Sequence, residues 1–245
     1  PNSIISSNTS TIPLSILTQE MSDSMKADFC ITHFFNPVRF MRLLEIVETP
    51  TMNKDKMGGL RDFCKNELGK GIVNCNDTPG FIGNRIGVYA MQVAMYEALE
   101  RGLPVEIADA LFGRPLGIPK TGVFGLYDLI GIDLMKDVLA SFKKELQEND
   151  PFMDVVKPHP MVEQLLEKGF NGNKGPGGFY QTTIVEGDEH VKAMNTSDMS
   201  YYDFDKVDLE IARRVEKEGI KALLDDDSEY GRYAFAVLAK IINYS

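Results

Sequence analysis

A histidine and a glutamate, twelve positions apart in an apolar stretch, are the first residues of this sequence whose types could do chemistry. The stretch is THFFNPVRFMRLLEIVET, residues 32–49, and it contains His33 and Glu45. Histidine changes charge near neutral pH, so His33 is suited to proton transfer. A carboxylate on its other ring nitrogen would fix the tautomer and stabilise the imidazolium, and Glu45 could do this from an adjacent strand. Spacing alone equally allows a structural core histidine and a solvated glutamate.

Two further polar clusters could belong to a site. SSNTST, residues 6–11, follows a predicted strand, and open α/β sheets bind ligands at the carboxyl ends of their strands. The default use of such residues is to cap a helix, so the residues by themselves favour a cap over a ligand-binding loop. DTPGFIGNR, residues 77–85, puts Asn84 two turns into a predicted helix. Its amide could make a buried hydrogen bond between helices or face a cleft between domains.

Composition and charge exclude several classes of protein. The chain has 245 residues, 43% hydrophobic and 25% charged, which is ordinary for a globular protein. Its net charge of -10 argues against nucleic acid and anionic membrane surfaces as partners, because both need a basic face. No apolar run is long enough to span a bilayer, so we expect no membrane insertion.

The cysteines and histidines do not form a metal-binding pattern. Cys30, Cys64 and Cys75 are odd in number and contain no CxxC pair, so we interpret them as reduced thiols. His159 and His190 lie far apart in the sequence, without a second ligand at metal spacing. We therefore predict no metal site.

The elements that must position these residues change character at Asp77. Before it, strands alternate with helices, which is typical of an α/β fold. The predicted strands are 3–7, 28–35, 42–49 and 71–75, and the predicted helices are 11–21 and 53–69, the second capped by Asn53. After it, helices follow at 77–102, 104–113, 122–131, 132–147, 159–169, 205–225 and 231–244.

Two details of the second half are specific predictions. The helix 77–102 should begin with Thr78 as its N-cap and Pro79 in its first turn. The glycine-rich segment 169–181 lacks the order of a phosphate-binding P-loop and is not followed by a helix. It therefore favours a tight turn that leads into a short edge strand.

The motifs SSNTS, HFFNPV, the glutamate of LLEIVET, and DTPGFIGNR resemble, in this order and spacing, the L-3-hydroxyacyl-CoA dehydrogenases. The segment KGPGGFYQ is similar to one that follows the helical domain in multifunctional members. This resemblance implies an α/β remnant of a Rossmann domain at 1–76. It also implies an all-α C-terminal domain at 77–245 for substrate binding and dimerisation.

The resemblance also implies roles for individual residues. His33 would take the proton from the substrate's 3-hydroxyl while hydride leaves for NAD+, and Glu45 would orient and support His33. Ser10 and Asn84 would bind the 3-oxygen and the thioester region, and Asn36 would contact the nicotinamide. The implied partners are an acyl-CoA substrate and a second copy of the chain. The expected location is the cytoplasm, with an organelle matrix also open.

One feature departs from the family pattern. The sequence contains no GxGxxG, the loop that holds a dinucleotide pyrophosphate at a helix N-terminus. It also begins PNSIISSNTS, without a methionine, and runs directly into a predicted strand. We therefore expect a fragment that lacks the N-terminal NAD-binding half, that binds NAD weakly and that shows no turnover alone. Whether an enoyl-CoA hydratase module follows in the parent chain stays open.

Two other functions fit parts of the sequence. One is a non-catalytic dimerisation or scaffold module with the same helices, in which the site residues would be free to drift. The other is a different β-hydroxyacid dehydrogenase, which would use a lysine base on the long helix. Asn84 and Arg85 stand in that region instead.

Overall fold

The computed structural model describes residues 3–116, 118, 120–185, 187–204, 207 and 209–245. Contacts divide the chain into two compact units, Pro1–Gly87 and Val88–Ser245, here called unit 1 and unit 2. The division falls inside a long helix, whereas the sequence places a domain boundary after residue 76. The first two residues of the opening segment and part of the predicted helix 205–225 lie outside the described residues.

Unit 1 is built on a four-stranded mixed sheet in the order β1-β2-β3-β4. β1 pairs with β2 in parallel, β2 with β3 antiparallel, and β3 with β4 in parallel. All four strands confirm the predicted positions. The strands are β1 Ile5–Ser7, β2 Phe29–Phe34, β3 Leu43–Glu48 and β4 Gly71–Asn74.

Apolar residues cover both faces of this sheet. Neighbouring residues of a strand point to opposite faces, so Cys30 and Ile31 enter two different clusters. The helices that join the strands are α1 Leu14–Leu17, α2 Asp23–Lys26 and α3 Lys54–Asn66. The side chain of Asn53 accepts hydrogen bonds from the N–H groups of Asp55 and Lys56, both at 3.1 Å. Asn53 is thus the N-cap of α3, as predicted.

The long helix α4, Gly83–Glu100, begins later than the sequence predicts. Thr78 is not its N-cap and Pro79 is not in its first turn. Gly80 and Phe81 have φ values of 72° and 48°, in the left-handed region that ends or precedes a helix and does not continue it. Proline is common in the first turn of a helix, but here residues 79–82 form a separate turn and the helix begins only after it.

Unit 2 combines helices with a small antiparallel sheet, so the predicted all-α domain is wrong in this respect. Its sheet has the order β5-β6-β7, and β5 is the predicted edge strand. The helices are α4 from Val88 onward, α5 Val105–Leu111, α6 Phe124–Ile130, α7 Ile132–Glu145, α8 Pro160–Glu167, α9 Glu210–Glu218, α10 Lys221–Leu224 and α11 Glu229–Tyr244. The strands are β5 Tyr180–Val185, β6 Asp188–Met194 and β7 Tyr201–Asp203.

The glycine-rich segment of unit 2 is a structural turn held by a buried carboxylate. Asp128 accepts hydrogen bonds from the N–H groups of Phe179 and Tyr180 at 2.9 and 2.7 Å. A Cβ at Gly178 would lie 2.0 Å from Oδ1 of Asp128, so only glycine allows this approach. The segment leads directly into β5, which confirms the prediction of a turn and an edge strand. No described helix has both the length and the apolar character needed to cross a membrane.

Candidate active site

Antiparallel pairing of β2 and β3 places His33 directly opposite Glu45. Nδ1 of the imidazole lies 2.7 Å from Oε2 of the carboxylate, and the two residues are 5% and 0% exposed. An ionised carboxylate only accepts hydrogen bonds, so Nδ1 carries the proton and donates it to Oε2. Nε2 is then the nitrogen with a free lone pair, which is the state that a general base requires.

The other carboxylate oxygen of Glu45 binds the start of α4. Oε1 accepts hydrogen bonds from the N–H groups of Ile82 and Gly83 at 3.0 and 2.6 Å. Burial alone would raise the pKa of Glu45. The hydrogen bond from His33 and those from the two backbone N–H groups outweigh it and hold this pKa below its ordinary value. Glu45 therefore stays ionised while it orients His33, and the positive end of the helix dipole favours that charge.

The lowered pKa of Glu45 predicts a pH-dependent stability. The unfolded chain protonates this carboxyl more readily, so stability falls as the pH falls. The contribution is complete above the ordinary value of 4.5 and is lost as the pH falls through the lower folded pKa. Between about pH 6 and about pH 3 the wild-type chain should lose more unfolding free energy than Glu45→Gln, measured by urea titration at each pH. Parallel curves for the two proteins would contradict this.

Two phenylalanines hold the imidazole from its sides. The ring centroid of His33 lies 4.5 Å from that of Phe35 and 5.8 Å from that of Phe81. Phe81 is buried and has a left-handed backbone, an unfavourable conformation for a bulky residue. A Cβ at Gly83 would lie 2.5 Å from Cζ of Phe35. Glycine at position 83 therefore allows the helix start, the Phe35 ring and the carboxylate to pack together.

Gly83→Ala is expected to destabilise unit 1 by about 1–3 kcal/mol, because the added methyl group displaces the Phe35 ring. Urea unfolding of the whole chain measures the change. The matched control is Gly59→Ala in α3, where a Cβ would meet nothing within 4 Å. This control should gain about 0.5–1 kcal/mol, because alanine is the better helix former. Equal effects of the two substitutions would show that Phe35 yields without cost.

The loop after β1 is fastened to the end of β2 beside His33. Oδ1 of Asn8 accepts a hydrogen bond from the N–H of Phe34 at 2.9 Å. The interpretation of residues 6–11 as a helix cap is wrong. The first N–H groups of α1, from Leu14 and Ser15, donate to the carboxylate of Asp77 at 2.5 and 2.8 Å. The hydroxyl oxygen of Thr9 accepts a hydrogen bond from the N–H of Ile12 at 3.1 Å, which shapes the loop and does not cap α1.

The remaining predicted site residues lie around this pair without a described hydrogen bond to it. Ser10 is half-buried in the loop after β1. Asn36 is exposed beyond β2, and among the described residues its side chain has no hydrogen-bond partner. Asn84 is half-buried in the first turn of α4, not two turns in, and directly follows Gly83. Among the described residues it makes no bond between helices.

Several contributors to the site were not predicted from the sequence. They are the backbone N–H groups of Ile82 and Gly83, the rings of Phe35 and Phe81, and the thiol of Cys75. Burial and then the charge of Glu45 raise the pKa of Cys75 to about 12, so this thiol stays protonated. Gly80 and Gly83 could have indicated that the helix starts later than predicted, because glycine is unfavourable in a helix interior. In the described part of the chain no cluster of three or more potential metal ligands occurs.

Two family models match the chain in sequence order. The model described as "3-hydroxyacyl-CoA dehydrogenase, NAD binding domain" matches residues 1–78. The model described as "3-hydroxyacyl-CoA dehydrogenase, C-terminal domain" matches residues 80–182. The expectation that the chain lacks the N-terminal NAD-binding half is not supported, because the NAD-binding domain itself is matched from residue 1.

Individual relatives agree with these matches. A Rickettsia felis protein named as a fatty acid oxidation complex trifunctional enzyme is 37% identical over 99% of this chain and 33% of its own length. The mitochondrial hydroxyacyl-coenzyme A dehydrogenase of Rattus norvegicus is 35% identical over 74% of this chain and 55% of its own length. The crystal structure of 3-hydroxybutyryl-CoA dehydrogenase from Escherichia coli superposes with a TM-score of 0.61 and 29% sequence identity. The match covers 73% of this chain and 36% of the Escherichia coli chain.

The chain thus spans only a third to about half of these two relatives. The two matched domains follow one another as an NAD-binding domain and a helical C-terminal domain. This chain belongs to the 3-hydroxyacyl-CoA dehydrogenase family.

Proposed function

We propose that this chain carries the acid–base residues of an NAD-dependent oxidation of L-3-hydroxyacyl-CoA to 3-oxoacyl-CoA, a step of fatty acid β-oxidation. The single observation that supports it most is the buried hydrogen bond of 2.7 Å between His33 and Glu45. A surface pair would exchange with water, whereas this pair is held by two paired strands and by the start of α4. A scaffold module would not need that arrangement.

The residues act on the proton of the substrate alcohol. Nε2 of His33 takes the proton of the 3-hydroxyl as the C3–H bond breaks, and C3 becomes a carbonyl carbon. NAD+ supplies the acceptor for the hydride. The positive charge that develops on His33 is balanced by Glu45, whose lowered pKa keeps it ionised. In the reverse direction the same imidazolium protonates the 3-oxygen.

Ser10, Asn84 and Asn36 are assigned to binding. The hydroxyl of Ser10 and the amide of Asn84 can donate hydrogen bonds to the substrate's 3-oxygen and thioester region. Asn36 fits the nicotinamide end of NAD, because its exposed amide can both donate to and accept from a carboxamide. α4 contains no lysine, so a related dehydrogenase chemistry with a lysine base on this helix is disfavoured.

The missing GxGxxG leaves the pyrophosphate of NAD without its usual cradle in this sequence. We therefore propose that the chain alone binds NAD weakly and has no measurable turnover. The test is the acetoacetyl-CoA-dependent oxidation of NADH, followed by absorbance, with the chain and with a fusion that places a dinucleotide-binding βαβ unit containing GxGxxG before residue 1. Turnover by the chain alone would disprove its inactivity. Absence of turnover in both proteins would disprove the dehydrogenase function.

Two further assignments rest on the family relation. We propose that unit 2 mediates formation of a homodimer, which analytical ultracentrifugation of the chain measures directly. We also propose a cytoplasmic location, with an organelle matrix as the alternative. The mitochondrial name of the rat relative is a reason to retain that alternative.

A further inference from the structure

A basic groove in unit 1, whose lining includes neither His33 nor Glu45, has no role in the proposed chemistry. The groove, of about 580 Å³, lies where α3 ends and β3 and β4 begin. Four of its nine lining residues are basic and one is acidic, in a chain whose net charge is -10. The basic residues are Arg42, Arg61, Lys65 and Lys70, and the acidic residue is Asp62. A concentration of one charge in a cleft focuses the electric field and attracts ligands of the opposite sign.

Lys70 is the buried cation of this groove, and its ammonium group is held in place by the protein. It is 8% exposed, yet its ammonium donates only to the carbonyl oxygens of Val38 and Met41, the latter at 2.7 Å. The ring of Phe34 lies 5.7 Å from Nζ and adds a cation–π contact. Among the described residues no carboxylate forms an ion pair with Lys70. A buried ammonium has three donors, so one N–H remains for a ligand.

The other basic residues differ in how far they are neutralised. Arg61 is paired with Glu48, so its charge is already balanced within the protein. Arg42 and Lys65 are exposed and have no ion-pair partner in the part of the chain that the structure describes. Together with Lys70 they provide three cations that one acidic residue, Asp62, does not offset.

A helix C-terminus also attracts basic residues, and α3 ends beside the groove. That effect does not account for this cluster. Two of the last four carbonyl groups of α3 already accept backbone hydrogen bonds. Phe63 accepts from the N–H groups of Glu67 and Leu68, and Cys64 accepts from that of Lys70. Lys65 alone belongs to the last turn of the helix. Arg42 immediately precedes β3 and Lys70 immediately precedes β4.

We propose that this groove binds a phosphate group of a nucleotide-type ligand. A phosphate ester matches three cations that line one groove, whereas a carboxylate carries less charge and offers fewer acceptor oxygens. The volume is well above that of one phosphate group, so an attached nucleotide has room. Coenzyme A carries both a 3′-phosphate and a pyrophosphate, and NAD+ carries a pyrophosphate alone. Either source has the required chemistry.

The test measures binding by isothermal titration calorimetry on the whole chain and needs no turnover. The probes are coenzyme A, 3′-dephospho-coenzyme A and NAD+. The variant is Arg42→Gln with Lys65→Gln, two exposed positions whose change should not affect folding. Lys70 is retained because it holds the loop that contains Val38 and Met41. The control removes the same charge elsewhere, with Lys143→Gln and Lys144→Gln on the exposed face of α7.

The groove variant should bind at least one probe roughly tenfold more weakly than wild type, while the control binds nearly as wild type does. A loss confined to coenzyme A identifies the 3′-phosphate as the bound group. A loss shared by all three probes identifies the pyrophosphate. Unchanged binding of every probe to the groove variant would overturn the proposal, and so would equal losses in variant and control. Since no outcome depends on turnover, failure here is distinct from failure of the dehydrogenase function.

Discussion

Replacing His33 by glutamine is expected to lower kcat for 3-hydroxyacyl-CoA oxidation by roughly 10²–10⁴-fold, the usual contribution of a general acid–base group. The glutamine amide is close in size to imidazole and can still donate to Oε2 of Glu45. It has no atom that takes up a proton near neutral pH, so the 3-hydroxyl loses its proton acceptor. The NADH-linked assay measures the loss in the chain, or in the fusion with a GxGxxG-containing βαβ unit if the chain alone has no turnover.

The matched control for this substitution is His190→Gln. His190 is exposed on β6 in unit 2, so its replacement removes an imidazole without touching the pair. Its kcat should equal that of wild type. The unfolding midpoint of His33→Gln should be recorded as well, because a misfolded variant would also be inactive. A folded His33→Gln variant with nearly normal kcat would show that another group is the base.

The two strands that carry His33 and Glu45 could be predicted from local rules. Both residues lie in runs rich in β-branched and aromatic side chains, which favour strands. The segment between the strands is long enough for a turn, so the strands can pair antiparallel as neighbours. In the structure His33 and Glu45 are direct partners in that pairing. Spacing left the register open, and the resemblance to a family supplied the reason to prefer this one.

The start of α4 could not be predicted by the same rules. Thr78 and Pro79 are a good local beginning for a helix, and only Gly80 and Gly83 nearby argue against it. The donors at the true start are bound by Glu45, which is 38 positions away from Gly83. The N–H of Leu14 is likewise bound by Asp77, 63 positions away. Caps supplied by distant carboxylates leave no trace in a local pattern.

The sheet of unit 2 was missed for a different reason. Only β5 was predicted, from the glycine-rich turn before it. β6 runs from Asp188 to Met194 and is exposed over its first four residues, so no alternation of apolar and polar side chains marks it. β7 has three residues, fewer than a periodic pattern needs. Short, exposed strands depend on pairing with their neighbours, which sequence patterns do not encode.

Replacing Glu45 by alanine should have the largest effect on stability, a loss of roughly 3–5 kcal/mol. The fully buried carboxylate accepts bonds from His33, Ile82 and Gly83. Without it three donors lose their partner, and the removed atoms leave a cavity. Urea unfolding of the whole chain at neutral pH measures the loss. Glu48→Ala is the control, since Glu48 lies on the same strand but forms partly exposed ion pairs that contribute roughly 0–1 kcal/mol.

Glu45→Gln separates the structural part of this residue from its catalytic part. The amide oxygen can still accept from the start of α4, so most of the stability should remain. Its NH₂ group then faces Nδ1 of His33 and forces that nitrogen to accept, which moves the imidazole proton to Nε2. Nε2 becomes a donor and can no longer take the proton of the 3-hydroxyl, so kcat should fall about as far as in His33→Gln. A stable Glu45→Gln protein with normal kcat would mean that Glu45 supports the fold alone and does not set the tautomer of His33.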